Sequence, residues 1–584
     1  MAERESVPTV WTALRFRGKA GVLQCARASR DLRARLKRYP RTGAQSGEVL
    51  LGESVGVLWP RGRDTSSAER RLTLGKIQNL RVAVRRLDGV VVPGGETFSF
   101  WKQVGRATAR RGFVEGRELR EGCMVPSVGG GLCQLSNALY DAALRAGFEI
   151  VERHPHTKVV PGSLAAVGRD ATVFWNYVDL RFRPHSAVRI EATVGTDSLT
   201  VRFWGRRRSG TPAVAAPAQD AAAVGSHPSG DCATCGVEQC FRHAALRRRT
   251  AAPERSAFLL DAYWPEYDAY VARMVGPEDI MALPLDGMRR GFAKYRWDTS
   301  RTGTVHENVL LTALRSYQSK RLAEHGAERQ RLLLRWAQRM GERFAARLPY
   351  DVTHVVVMQH MLPALWTGGF LGGRTFDVLM TGLPLRELQR RLDTAYALHP
   401  ESRTLGDFRC DDALIEAEET ALGAASRIVT PHAAIATMFG ARTVRLPWLS
   451  SAPVTQNGTV RGERTVLFPA STLGRAGAYE LRDVARALDL HVILTGPDLE
   501  APGFWNGVSV ERTSFSDGLG RARAVVLPAF VEHQPRRLLL ASRLGMPVVA
   551  SEACGIDACG NLVTVAAGDV VALGAAIGRS LHRT

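Results

Sequence analysis

Nine short apolar runs in residues 255–584 constrain this chain more than any other feature. They are AFLLDAY, DIMALPL, THVVVMQ, FDVLMTG, RIVTPH, TVLFPA, HVILTG, AVVLPA and PVVAS, with helix-compatible stretches between them. Strands that are apolar on both faces must be covered on both faces. Parallel neighbours also need a long crossover, usually a helix. The predicted fold of this half is therefore α/β, with parallel sheets and helices on both sides. These 330 residues exceed one such core. Two doubly wound, Rossmann-like lobes are expected, at 255–455 and 456–584.

The preceding residues divide by composition. Residues 1–46 are arginine-rich and helix-compatible, and read as an N-terminal helical extension. Residues 47–208 mix helix and strand patterns and read as an α+β domain. Residues 209–230, dominated by Ala, Pro, Gly and Ser, read as a flexible linker, and 231–254 hold a cysteine-rich motif. No run of about 18 uncharged apolar residues occurs, so no membrane span is expected. The stretch MAERESVPTVWTALRFRGKAG lacks the apolar core of a secretory leader, so the expected location is cytoplasmic. The formal charge is +21, but seven of the 78 basic residues are lysine, leaving 71 arginines. With no nucleic-acid-binding signature beside it, that charge points to an anionic small-molecule or peptide-like partner and away from nucleic acid.

In VPSVGGGLCQLSNALYDAALRAGFEIVERHPHT, Cys133 follows Gly129–Gly131. Leu135, Leu139, Ala142 and Ala143 then recur at helical spacing, and Gly147 marks the stop. Cys133 thus falls at a helix N-terminus, where unpaired N–H groups and the helix dipole favour a thiolate. The glycines could aim N–H groups at a developing oxyanion. FEIVERHPHT reads as a strand, whose alternation puts Glu152, His154 and His156 on one face. Cys133, His154 and His156 are the candidate catalytic residues of this domain. A small buried thiol beside a tight turn fits the same pattern.

PGGETFSFWKQVG, RGFVEG, this Gly-Gly-Gly-x-Cys-Gln segment, its His-Pro-His end and GRDATVFWNYVDLRFRP occur in order, and together they resemble the VanW family. That family takes its name from vancomycin-resistance gene clusters. The resemblance implies cell-wall precursors or other peptide-like substrates.

DCATCGVEQCFRH spaces Cys232, Cys235, Cys240 and His243 as C-x2-C-x4-C-x2-H. Four such ligands can wrap a tetrahedral zinc ion, with an iron–sulfur cluster as the alternative and a reduced surface loop as the bland reading.

RIVTPHAAIATMFGARTVRLPW, TVLFPASTLGRAGAYELRDVARAL, HVILTGPDLE and VVLPAFVEHQPRRLLLASRLGMPVVASEACGI resemble retaining glycosyltransferases of the GT-B fold. The resemblance implies a nucleotide-sugar donor held by the second lobe, with Arg475, Gly477, Gly496, Glu532 and Gly555 at the cofactor site. Two positions depart from it. Ala476 stands where the family has lysine, and Leu540 stands where it has a second glutamate. Leucine cannot accept ribose hydroxyls. Either the donor differs, or this half only binds. In the first lobe, His360 ends an apolar strand and is the leading catalytic candidate, with Asp261, Trp264, Glu266, Tyr267 and Gln359 nearby in the pattern.

The expected function is a VanW-like protein with a glycosyltransferase-like module, acting in cell-envelope or secondary-metabolite biosynthesis or in antibiotic resistance. The alternatives are a Cys133-dependent enzyme with a binding-only GT-B half, and a non-enzymatic, metal-stabilised scaffold.

Overall fold

The computed structural model describes residues 10–59, 67–120, 123–156, 168–175, 177–206, 255–322, 326–449 and 462–582. It divides into two compact units, an N-terminal one of residues up to 255 together with 349–353 and 368–374, and a C-terminal one of the remainder.

The N-terminal unit is built on antiparallel strands. Val49–Val57, Ser198–Gly205, Val188–Val194 and Val91–Val92 lie side by side in that order, each pair antiparallel. Ser198–Gly205 alternates strictly between half-buried and buried residues, so one face of the sheet is the core face. The helices Ser67–Leu87 and Cys133–Arg145 supply Ile77, Leu80, Leu135, Leu139 and Ala142 to that core, where Phe148, Phe182 and Phe203 pack together. A smaller sheet of Phe98–Ser99, Arg181–Arg183 and Glu149–Glu152 and a hairpin of Glu115–Arg120 and Cys123–Val128 complete the unit.

One turn in this unit controls the site described below. Between the hairpin and the helix Cys133–Arg145, Gly129 and Gly131 hold φ of +86° and +92°. A Cβ on Gly131 would stand 2.2 Å from Lys76 Cγ, and one on Gly130 would stand 2.3 Å from the Gly116 carbonyl oxygen. Lys76 is buried under this turn and donates to the Leu58 carbonyl at 2.5 Å and to Gln134 Oε1 at 3.0 Å. Only glycine satisfies both the backbone conformation and the clearance.

The C-terminal unit holds the two predicted parallel sheets. In the first, the order is Thr304–Glu307, Ile280–Leu283, Arg255–Leu259, Val352–Met358, Thr375–Leu379, Arg427–Thr430, Thr443–Arg445. In the second, it is Ser509–Arg512, His491–Leu494, Thr465–Phe468, Ala524–Leu527, Val548–Ser551, Leu562–Val565. Parallel pairing carries both sheets outward from the centre. In each, the chain starts at an inner strand, runs to one edge, then returns and runs to the other. That reversal makes a crevice at the carboxyl ends of the first and fourth strands. The inner strands Ile280–Leu283, Thr465–Phe468, Ala524–Leu527 and Val548–Ser551 are buried throughout, which is why they read as unbroken apolar runs.

The glycine turn yields a stability prediction. Gly131→Ala adds a Cβ at positive φ against Lys76 and should cost about 1–3 kcal/mol. A lowered urea midpoint for the N-terminal unit would be the readout. An unchanged midpoint would show that the turn tolerates a side chain.

Candidate functional site

Cys133 opens its helix, and the N-cap residue Leu132 supplies no side-chain cap. The helix's first turn is closed by the Gln134 N–H on the Gly131 carbonyl at 3.1 Å and by the Leu135 and Ser136 N–H groups on the Leu132 carbonyl at 3.0 and 3.1 Å, and the positive end of the helix dipole lies beside the sulfur. Cys133 is a free, half-buried thiol. Its Sγ lies 3.5 Å from Thr172 Oγ1 and 3.8 Å from the Val173 carbonyl oxygen, and the His156 ring is near enough to act on it electrostatically.

His156 is held from its other side. Its Nδ1 is 2.5 Å from Asp170 Oδ1, and its backbone N–H donates to Asp170 Oδ2 at 2.5 Å. With Nδ1 occupied by the carboxylate, Nε2 is the ring nitrogen left for the thiol. The Thr172 N–H donates to the His154 carbonyl at 2.8 Å, which lays the histidine segment beside residues 170–172. Ser136 Oγ donates to the Ala171 carbonyl at 2.5 Å, and Asn137 Oδ1 accepts from the Ala171 N–H at 2.7 Å. Thus the helix that presents Cys133 also clamps the segment that carries Asp170.

The charges follow from these contacts. Burial pushes the Cys133 thiol up, but the hydrogen bond and positive charge of His156, with Thr172 and the Val173 carbonyl, bring it below an ordinary cysteine. Asp170 raises His156 to about 10, helped by Cys133 against the opposing effect of burial. Burial would raise Asp170, yet the two His156 bonds hold its carboxyl below the usual range. The arrangement is a cysteine–histidine pair oriented by a carboxylate, in which each partner favours the charged form of the other.

Sequence reasoning brought Cys133 and His156 to this site, placed His154 there too and left Asp170 out. His154 is exposed, with Nε2 3.3 Å from Glu152 Oε1. The expected shared strand face does not exist. The strand Glu149–Glu152 stops before both histidines, since Pro155 has no N–H to continue a ladder. Asp170 sits 14 residues beyond His156, and no periodic pattern links them. The motif of Cys232, Cys235, Cys240 and His243 lies outside the described residues. Among the described residues, no cluster of three metal-ligating side chains occurs and no helix is long and apolar enough to cross a membrane.

In the first lobe, Asp261 follows Arg255–Leu259 and His360 follows Val352–Met358, the two strands that flank the crevice. His360 Nε2 lies 2.9 Å from Asp261 Oδ2, and Arg315 grips both Asp261 oxygens at 2.7 and 2.8 Å. Burial would raise Asp261, but bonds from His360 and Arg315 hold it far below the carboxylate range.

In the second lobe, Arg475 is half-buried on the turn after Thr465–Phe468. Its guanidinium lies over the Phe408 ring, and its Nε has no partner among the described residues. Gly477 closes that turn. Gly496 packs on Ser471, Gly555 packs on the His432 ring, and Glu532 Oε1 accepts from the Gln534 N–H at 2.6 Å.

The family described as VanW like protein matches residues 75–204. Those residues form a VanW-like domain. It is 41% identical over 105 residues to the uncharacterized protein YoaR of Bacillus subtilis, covering 18% of this chain and 34% of that protein. It is 34% identical over 111 residues to the vancomycin B-type resistance protein VanW of Enterococcus faecalis, covering 18% of this chain and 40% of that protein. The chain therefore spans about a third and two fifths of these relatives' lengths. The C-terminal half resembles GT-B proteins of known structure. The lipopolysaccharide outer core galactosyltransferase WaaB aligns at 12% identity with a TM-score of 0.32, covering 56% of this chain and 90% of that one. The sucrose-phosphate synthase of Thermosynechococcus elongatus aligns at 13% and 0.34, with the same coverage. Likeness at this level carries no argument about chemistry. The two-lobe architecture rests on the strand orders themselves.

The VanW-like site makes a pH prediction. Cys133 should react with iodoacetamide at pH 7 faster than an ordinary thiol, because His156 favours its thiolate. His156→Ala removes the pairing and should slow that reaction about tenfold or more. Equal rates in the two proteins across pH 6–9 would dissolve the pair.

Proposed function

We propose that the VanW-like domain performs cysteine-dependent acyl transfer on a peptide-like substrate. The observation that carries the reading is the line from Cys133 through His156 to Asp170. In the first step, Cys133 Sγ attacks an amide carbonyl carbon, forming a C–S bond. The oxygen charge that develops faces the positive end of the helix dipole at Cys133. His156 gives its proton to the departing amine as the C–N bond breaks. Water or an incoming amine then attacks the thioester while His156 takes its proton, and the thiolate leaves. Asp170 orients the ring throughout. The name of the Enterococcus faecalis relative makes peptide-bearing cell-wall precursors the first substrates to try, and the excess of arginine favours acidic ones.

A second reading concerns the C-terminal half. The half-buried guanidinium of Arg475, with a buried Nε unpaired among the described residues and set at the crevice of the second sheet, supports binding of a nucleotide-sugar donor through its phosphates. Ala476 removes a second cation from that place, and Leu540 removes a ribose acceptor, so the binding is expected to be weak.

Two experiments separate these readings. The full chain is incubated with cell-wall peptides and a reactive acyl ester, and adducts are located by mass spectrometry. An acyl group on Cys133 is expected, and Asp170→Asn should slow turnover roughly 10²–10⁴-fold. Turnover that survives in Cys133→Ala would end the first reading. Calorimetry with uridine and guanosine diphosphates tests the second, where Arg475→Ala should abolish the heat. No heat from the unaltered chain would count against a donor site.

A further inference from the structure

Next to Asp261, in the first lobe, lies a cavity of about 290 Å³. Its walls come from the helices Val309–Arg321 and Gly326–Ala345 and from the short turn Ala293–Tyr295. Four cations line it, namely Lys294, Arg315, Lys320 and Arg329, and Asp261 is the one acidic residue on the wall.

The balance of charge is uneven. Asp261 is already engaged by Arg315 and His360. Among the described residues, Lys294, Lys320 and Arg329 form no ion pair, whereas Arg315 on the same wall is paired with Asp261. Arg329 is tied only to a hydroxyl, its Nε donating to Ser319 Oγ at 3.1 Å. Three uncompensated positive charges therefore face one small volume. Two of the chain's seven lysines stand on this wall. Three hydroxyls stand among the cations, on Ser316, Ser319 and Tyr295, and the Tyr295 oxygen accepts from Arg315 at 2.9 Å.

We propose that this cavity binds a small molecule through its phosphate group, with Lys294, Lys320 and Arg329 neutralising the anion and Ser316 and Ser319 bonding its oxygens. A single carboxylate would leave two cations unmatched, whereas a phosphate monoester or diphosphate carries two or more charges and enough acceptors for every donor. The volume lies at the small end for ligand pockets, about right for a phosphate with a sugar-sized fragment. The site is separate from Arg475, which belongs to the second lobe. It does not depend on acyl transfer at Cys133.

The test uses the full chain with inorganic pyrophosphate as probe, followed by calorimetry. Binding that weakens with added salt is expected. The double variant Lys294→Ala/Lys320→Ala should weaken it at least about tenfold, as should Arg329→Ala, because each loses a charged hydrogen bond. These side chains are exposed, and an unchanged thermal melt would confirm that each variant folds. Phosphatidylcholine vesicles with and without phosphatidic acid form a second arm. Stronger capture by the acidic vesicles, lost in the double variant, assigns a lipid phosphate. Pyrophosphate binding without capture assigns a soluble one. If pyrophosphate does not bind, or if binding survives the double variant and disappears in Arg475→Ala, the proposal is overturned.

Discussion

Asp170 accepts two hydrogen bonds from one residue, from the His156 ring and from its backbone N–H. The backbone bond fixes where the segment runs, and the ring bond fixes how the imidazole turns. Neither would place the ring against Cys133 unless Asp170 were itself held. It is held by the helix that starts at Cys133, through Ser136 and Asn137 on both polar groups of Ala171. The glycine turn packed on Lys76 then sets where that helix begins. Cys133, His156 and Asp170 are thus gathered by one short loop of contacts inside one core.

Legibility followed burial. All nine apolar runs became strands, because inner strands of a parallel sheet are apolar on both faces. The four strands left unread were Thr304–Glu307, Thr443–Arg445, Ser509–Arg512 and Leu562–Val565, and each is an edge of its sheet. Edge strands are half-exposed, so polar residues interrupt the pattern that inner strands display. At the thiol, the helix start was legible because the glycines, the apolar spacing and Gly147 agree. The histidines were harder. Alternation suggested a strand through His156, but Pro155 removes a donor from that ladder. Asp170 had no local signal at all. Its role exists only because Thr172 pairs with His154 across a stretch of chain, and single-sequence periodicity does not report such pairing.

Both lobes of the C-terminal half concentrate polar side chains at the same topological place. Asp261 and His360 stand at the crevice of the first sheet, and Arg475 stands at that of the second. Fold physics therefore marks where a ligand would lie, while the side chains decide which ligand fits. The first lobe carries a compensated acid beside cations that have no ion-pair partner among the described residues. The second carries a lone guanidinium stacked on an aromatic ring.

The helix Arg536–Arg543 shows why Leu540 should not be judged as an isolated loss. At the start of that helix, Arg536 forms a two-pronged ion pair with Glu266, at 2.9 and 2.7 Å. Its guanidinium also lies 5.5 Å from the rings of both Trp264 and Trp448. Glu266 is fully buried, so breaking the pair would strand a charge at a cost well above that of a surface bridge. A helix anchored in this way is committed to the first lobe along the face that Arg536 occupies. Glu532, four residues earlier, spends its carboxylate on the Gln534 N–H. The departures in the second lobe thus form a coherent set, in which polar groups that could address a ligand are turned toward the protein itself, and Arg475 is the one left with an unmet donor.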